Sequence, residues 1–381
     1  MIYIDHNATT PVSSEVLEAM MPYFQQSFGN ASSYYQPGRT ARSGLEKARR
    51  LIAASIGALP EEIVFTGSGT ESDNLALRGV CRAFFGKAFH VITSQIEHHA
   101  VLKTCEDLQG QGGRITRIPV DKNGRIDPED VARNIAPDTA VISIMCANNE
   151  TGVIQPIKAV SEIARQKGII FHTDAVQAFG KMPIQVDDLG VDLMTMSAHK
   201  IYGPKGVGAL YIRKDTNIAP MITGGSQERA LRAGTENIPA IAGFAKAAEM
   251  ATASLEEVGS RIGSLRDNLE NQIIQQIDNA VINGHGVPRI ANTSSVSFAS
   301  IDGESILLHL DLRGICASTG SACATGSTEP SHVLSAMGLS PVESQGTIRF
   351  SLGKDNTPED IDRIAVVMRE IVSQLRRISS I

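Results

Sequence analysis

Between Glu62 and Arg213 the chain alternates short, continuously apolar runs with helix-like segments, and this alternation constrains the fold more than any other feature. The runs are EIVF (62–65), HVIT (90–93), AVISIM (140–145), IIFH (169–172), DLMTM (192–196) and GVGALYIR (206–213). Strands buried on both faces read as unbroken apolar runs. Separated by helices, they predict an α/β fold: a mostly parallel sheet covered by helices on both sides. The segment 127–135 opens with Asp-Pro-Glu-Asp, a capped helix start. A long Ala-rich helix is expected over 239–258. Beyond it come a helix at 260–277, strands at 295–298 and 347–352, and a last helix capped by Thr357. In that helix Ile361, Ile364, Met368, Ile371 and Leu375 form one stripe. The expected organisation is a large domain, 15–258, and a smaller α+β domain made of 1–14 and 259–381.

With 381 residues, 42% of them hydrophobic, the chain can bury a sizeable core. A net charge of −6 gives no electrostatic reason to expect nucleic acid or an anionic membrane as partner. No apolar run approaches the roughly 18 residues of a membrane helix. The start, MIYIDHNATTPV, lacks the layout of a signal peptide, so a cytoplasmic location is expected. The five cysteines are odd in number and widely spaced without a CxxC pair, which indicates neither a disulfide framework nor a stable metal site.

Polar groups follow strand after strand. TGSGTESDN with Gly69 and Thr70 follows the first run, and SQIEHHA with His98 the second. CANNETG with Asn148, TDAVQ with Asp174 and Gln177, and SAHK with Ser197, His199 and Lys200 follow the next three. Any one of these is ordinarily a turn residue or helix cap. Five together at the carboxyl ends of strands mark a ligand site, because open α/β sheets bind ligands there. GSGTES reads as a glycine turn opening a helix, whose N–H groups and Thr70 hydroxyl suit a phosphate. GPKGVG (203–208) is no dinucleotide loop, since a strand follows it. Lys200 suits a Schiff base, and Asp174 suits the ring nitrogen of pyridoxal phosphate, keeping it protonated.

Cys323 lies in ASTGSACATGST (317–328), where small residues predict a mobile, exposed loop and a reactive thiol. Cys81, Cys105, Cys146 and Cys316 are expected in the core, and His6, His90, His99, His172, His285, His309 and His332 in structural roles. Arg349 shares the polar face of TIRFSL with Thr347 and Ser351, and its fork suits a carboxylate as well as it suits solvent.

These motifs, with RAGTEN, STEPSHVL and YIDHNATTPV, run nearly end to end, and the chain resembles the cysteine desulfurases of the NifS/IscS type within the fold-type I, class V aminotransferase group. The resemblance implies a large pyridoxal 5'-phosphate-binding domain and a homodimer with shared sites. It implies that Lys200 is the Schiff-base lysine and that His98 stacks on the cofactor ring and helps proton transfer. Asp174 would meet the ring nitrogen, and Gln177 and Asn148 the ring hydroxyl. Gly69, Thr70, Ser197 and His199 would cradle the phosphate, with Thr235 supplied from the other subunit. Asn148 and Arg349 would hold the substrate carboxylate, and Cys323 would carry the persulfide.

The implied reaction takes sulfur from L-cysteine, leaving alanine, and delivers it to an iron–sulfur scaffold or another acceptor protein. Cys323 would be at most a transient iron–sulfur ligand in a scaffold complex. Relatives that dock such scaffolds often carry a C-terminal tail, whereas this sequence stops at RRISSI, so the docking mode stays open. Two alternatives share the motifs. One is a selenocysteine lyase or an aminotransferase using the same cofactor. The other is an inactive sulfur-delivery subunit, against which the presence of both Lys200 and Cys323 speaks.

Overall fold

The computed structural model of the chain describes residues 1–82, 84, 88–320 and 330–379. After a two-residue strand β1 (Ile2–Tyr3) come β2 (Ile63–Thr66), β3 (His90–Ser94), β4 (Arg114–Ile118), β5 (Thr139–Ser143), β6 (Ile170–Asp174), β7 (Leu193–Ser197) and β8 (Gly208–Ile212). The last seven form one sheet in the order β2-β8-β7-β6-β5-β3-β4. Pairing is parallel from β7 to β4, and β8 runs antiparallel to both of its neighbours.

Alternate strand residues feed two cores. Ile63, Phe65, Ile92, Ile142, Met194 and Tyr211 face one side, packed by helices Gln36–Ser55, Ile157–Lys167 and Ile238–Ala253. Val64, Val91, Val141, Leu193 and Leu210 face the other, packed by helices Gly69–Arg82 and His99–Gly110. The fold is therefore α/β with a mostly parallel sheet covered on both faces.

Two expectations need correction. Strand β4 was not expected, because RITRI reads as polar; it is an edge strand with partly exposed residues, where an apolar run is not required. The Ala-rich helix stops at Ala253 instead of 258. At Ser254 the backbone leaves helical geometry and the hydroxyl turns back to the Met250 carbonyl at 3.0 Å, so the next helix begins at Leu255 and runs to Gln276.

A third core joins the helix Leu255–Gln276 and the final helix Pro358–Ser379 to β9 (Ala280–Ile282), β10 (Thr293–Phe298), β11 (Ile315–Cys316) and β12 (Thr347–Ser351). The chain's start belongs here. Ile2 and Ile4 are part of this core, and β1 pairs parallel with β11. Residues 5–10 then cross to the main sheet. His6 N–H donates to the Ser351 carbonyl at 3.0 Å, and Thr10 N–H to that of His199 at 3.0 Å. No helix among the described residues is long and apolar enough to cross a membrane.

Candidate active site

The strand ends that carry the polar motifs surround one cavity of about 310 Å³. Gly69, Thr70, His98, Asp174, Gln177, Ser197, His199, Lys200 and Arg349 all line it.

The turn after β2 is built to approach closely. A Cβ on Gly208 would lie 2.7 Å from the Ser68 carbonyl carbon, and one on Gly69 would lie 2.8 Å from a Val176 methyl. Only glycine lets the helix Gly69–Arg82 begin this near the other strand ends. Ser68 caps that helix, its hydroxyl accepting from Glu71 N–H at 3.1 Å and its carbonyl from Ser72 N–H at 3.1 Å. The amides of Gly69 and Thr70 open the first turn, where no intrahelical acceptor exists, beside Ser197 and His199. Such a helix start suits a phosphate.

Lys200 lies in the single turn after β7. Its Nζ donates to the carbonyls of Asn7 and Ala8 at 2.6 and 2.7 Å, so the N-terminal arm holds the amine at the cavity wall. Asp174 ends β6 and accepts from Val176 N–H at 2.8 Å. Burial raises its carboxyl to about 6, although Val176 N–H and Lys200 oppose the shift. Asp73 stands in the same cavity, pushed up by burial and by Asp174, and its buried Oδ1, 3.6 Å from His172 Nε2, has no hydrogen-bond partner. A buried carboxylate pair with an orphaned oxygen fits a cationic ring nitrogen between the cavity walls. Together with an amine, a phosphate-suited helix start and an imidazole, the residues fit pyridoxal phosphate.

His98 caps the helix His99–Gly110, its Nδ1 accepting from Ala100 N–H at 3.1 Å. The ring proton therefore sits on Nε2. Burial, with Lys200 nearby, lowers His98 to about 4, so it is neutral at pH 7. Arg349, on β12, is 1% exposed, which excludes a solvent-facing arginine. Its Nη2 pairs with Asp5 at 2.7 Å, its Nη1 donates to the carbonyls of Asn149 and Gly320 at 3.1 and 3.2 Å, and its Nε has no partner.

Asn148 does not reach the cavity as expected; its neighbour Asn149 lines the wall instead. The Asn148 amide is committed to its own turn. Its Oδ1 accepts from the N–H groups of Glu150 and Thr151 at 2.9 and 3.0 Å, and its Nδ2 donates to the Ile96 carbonyl at 3.0 Å. Asn148 thereby shapes the turn that aims the Asn149 carbonyl at Arg349. Thr235 is exposed and does not line the cavity of its own chain.

The expected persulfide carrier, Cys323, lies outside the described residues. Cys81, Cys105 and Cys146 are buried, and burial pushes each thiol up to about 12, which makes them inert. Cys316 is half-buried instead of in the core, because β11 is only two residues long and pairs with β1 alone. His99 and His332, expected to be structural, line the cavity with their rings 4.9 Å apart. Asn7, Asp5 and Glu150 also went unassigned in the sequence; the only signal for the first two was their place in the YIDHNATTPV motif.

The Aminotransferase class-V family model matches residues 2–364. Cysteine desulfurase IscS of Methanosarcina thermophila is 51% identical over 99% of this chain and 93% of its own length. Its counterpart from Dictyoglomus turgidum is 50% identical over 99% and 96%. A solved NifS-like protein superposes with a TM-score of 0.92 at 40% identity, covering 98% of this chain and all of its own. A NifS-like protein from Rickettsia africae gives 0.89 at 34%, covering 98% and 99%. The chain belongs to the class-V aminotransferase family. Within it, it is a cysteine desulfurase of the IscS/NifS type.

Proposed function

We propose that the chain works as a cytoplasmic homodimer holding pyridoxal 5'-phosphate in this cavity, and that it moves sulfur from free L-cysteine to Cys323. The persulfide then goes to an acceptor protein such as an iron–sulfur scaffold. The carrying observation is the juxtaposition of Lys200, Asp174 and Arg349 around one cavity. We also take 15–258 as the cofactor-binding domain and 1–14 with 259–381 as the second domain, in keeping with the separate cores. The test of function is alanine release from L-cysteine by the yellow, cofactor-loaded protein without a 2-oxo acid. A 2-oxo-acid requirement would mean an aminotransferase, and turnover confined to selenocysteine would mean a selenocysteine lyase.

When bound, the cofactor supplies an electron sink for the substrate's carbon skeleton. The chain's residues supply the rest. Gly69, Thr70, Ser197 and His199 hold the phosphate, with Thr235 of the partner subunit. Asp174 keeps the ring nitrogen protonated, and Gln177 donates to the ring oxygen. His98 offers its ring face and an Nε2–H. Its Nδ1 is tied to Ala100 N–H, so proton removal at the substrate Cα falls to Lys200. Asn148 acts through its turn. Arg349 binds the substrate carboxylate, which must compete with Asp5 for Nη2. Arg349→Lys keeps the charge but loses the fork. It should raise KM for L-cysteine about 10- to 100-fold while the visible band stays in place; an unchanged KM would remove Arg349 from substrate binding.

The homodimer reading draws support from exposed Leu17, Met21, Phe24, Phe28, Tyr34 and Tyr35, apolar groups clustered between residues 17 and 35. Shared sites predict complementation. Lys200→Ala and Thr235→Asp chains, each inactive alone, should regain about a quarter of wild-type activity when mixed one to one, because each hybrid dimer has one intact site. No regain after verified subunit exchange would exclude sharing through Thr235.

A further inference from the structure

Four residues beyond Gln177 lies a second lysine that the chemistry above does not use. Lys181 is half-buried behind the site, and its Nζ donates to Gln177 Oε1 at 2.8 Å and Asn7 Oδ1 at 3.0 Å. Among the described residues no carboxylate lies within ion-pair distance of it. Burial, with Lys200 and Arg349 nearby, holds it well below the ordinary lysine range.

A lysine ammonium can only donate, so each amide that meets it turns its oxygen inward, as both do here. For Gln177 this leaves the NH2 group to face the other way. Its Nε2 donates to the Asn7 carbonyl at 3.0 Å, the same oxygen that receives Lys200 Nζ at 2.6 Å, and its second N–H remains for the cavity that Gln177 lines. For Asn7, Oδ1 also accepts from Asn292 Nδ2 at 3.0 Å, while Nδ2 donates to Thr293 Oγ1 at 2.8 Å and to the Asn149 carbonyl at 3.1 Å. The Asn7 and Asn149 carbonyls hold the NH2 ends of the two amides, and Lys181 holds both oxygens from the other side.

We propose that Lys181 is a positioning residue for the desulfurase reaction: by donating to the oxygens of Gln177 and Asn7 it completes, with the Asn7 and Asn149 carbonyls, the contacts that lock both amides, so that Gln177 presents an N–H, never a carbonyl, to the cavity, and Asn7 keeps its carbonyl on Lys200. The site thereby selects a ligand with an acceptor or anionic oxygen beside the Lys200 amine. This rests on the reading of the cavity as a pyridoxal phosphate site and names the residue that sets its polarity there.

The test uses full-length protein loaded with pyridoxal phosphate and a pH titration of its visible band. Lys181→Met keeps the length and apolar stem, which lies along a second, largely apolar cavity lined by Ile201, Met250 and Ala251. A ring oxygen that loses its donor holds a proton more tightly. The titration midpoint should therefore rise by about one pH unit, with kcat falling about tenfold or more and KM moving less. Lys181→Gln, which keeps an N–H donor, should recover part of both. In a Gln177→Ala background the added effect of Lys181→Met on the midpoint should shrink to less than half, because the two act through one contact. Wild-type protein that forms no visible band would overturn the cofactor reading itself. A normal wild-type band with an unshifted Lys181→Met midpoint, or full additivity with Gln177→Ala, would overturn the role given to Lys181. Should Lys181→Met fail to fold, the Gln variant and its double with Gln177→Ala decide by the same midpoints.

Discussion

Lys200→Ala is expected to lower alanine release from L-cysteine about 10,000-fold or more. On the proposed function the loss would combine two functions of one amine: covalent attachment of the cofactor and removal of the substrate's Cα proton. No neighbour can take over the second. His98 is the other base at the wall, but its Nδ1 lone pair is used in capping, and with its ring lowered to about 4 it is a weak base. Noncovalent cofactor binding should survive, because Gly69, Thr70 and Asp174 sit on different strand ends from Lys200 and the side chains of Ser197 and His199 are unchanged. Borohydride should fix pyridoxal phosphate to Lys200 in the wild type and to nothing in the variant, read by peptide mass spectrometry. Lys181 is the built-in control. It is a second half-buried amine on the same Asn7, and fixation there would mean that the wrong lysine has been assigned. Added methylamine should restore a measurable part of the turnover in Lys200→Ala if the amine acts as a free base.

The sheet was legible because strands buried on both faces leave unbroken apolar runs, and the site was partly legible for a related reason. His98, Asp174, Gln177, Ser197 and Lys200 each follow such a run, and a parallel sheet gathers the residues after its strands at one edge. The structure brings these five into one cavity. Residues that reach the site by another route left no such trace. Asn7 meets Lys200 across 193 positions of sequence, and Asp5 meets Arg349 across 344, through an arm that a periodicity reading passes over. His332 and Glu150 were hidden for the opposite reason: each sits in a segment whose local pattern reads as a turn or a cap. Strand β4 was missed because an edge strand need not be apolar. Asn148 shows where a residue-by-residue carry-over gives the right neighbourhood and the wrong contact, since its amide is consumed by the turn it builds.

Cys323→Ser should keep the yellow band, still change that band on adding L-cysteine, and yet lose alanine formation about a thousandfold or more. The argument runs by elimination as well as by sequence. A sulfur acceptor has to present a thiolate, and burial holds Cys81, Cys105 and Cys146 near 12, which leaves them protonated at any working pH. Two thiols remain. Cys316 is half-buried on β11, where it pairs with Tyr3, and a strand residue fixed by backbone pairing cannot travel to an acceptor. Cys323 lies between Gly320 and Ser331, which flank the site. The Gly320 carbonyl accepts from Arg349, and the Ser331 hydroxyl donates to Glu150 at 2.5 Å on the cavity wall. The chain thus enters and leaves its cysteine segment on the Arg349 side of the cavity. Serine at 323 cannot accept sulfur, so the substrate Cβ–S bond stays whole and neither persulfide nor sulfide forms. Cofactor and substrate binding persist because Lys200, Asp174 and Arg349 are untouched. Selenocysteine should be a partial exception, its selenium leaving more readily. The deciding comparison is alanine release by Cys323→Ser and, separately, by Cys316→Ser. Near-normal turnover in the first with loss in the second would move the persulfide to Cys316. Near-normal turnover in both would remove the persulfide step and leave a lyase or an aminotransferase.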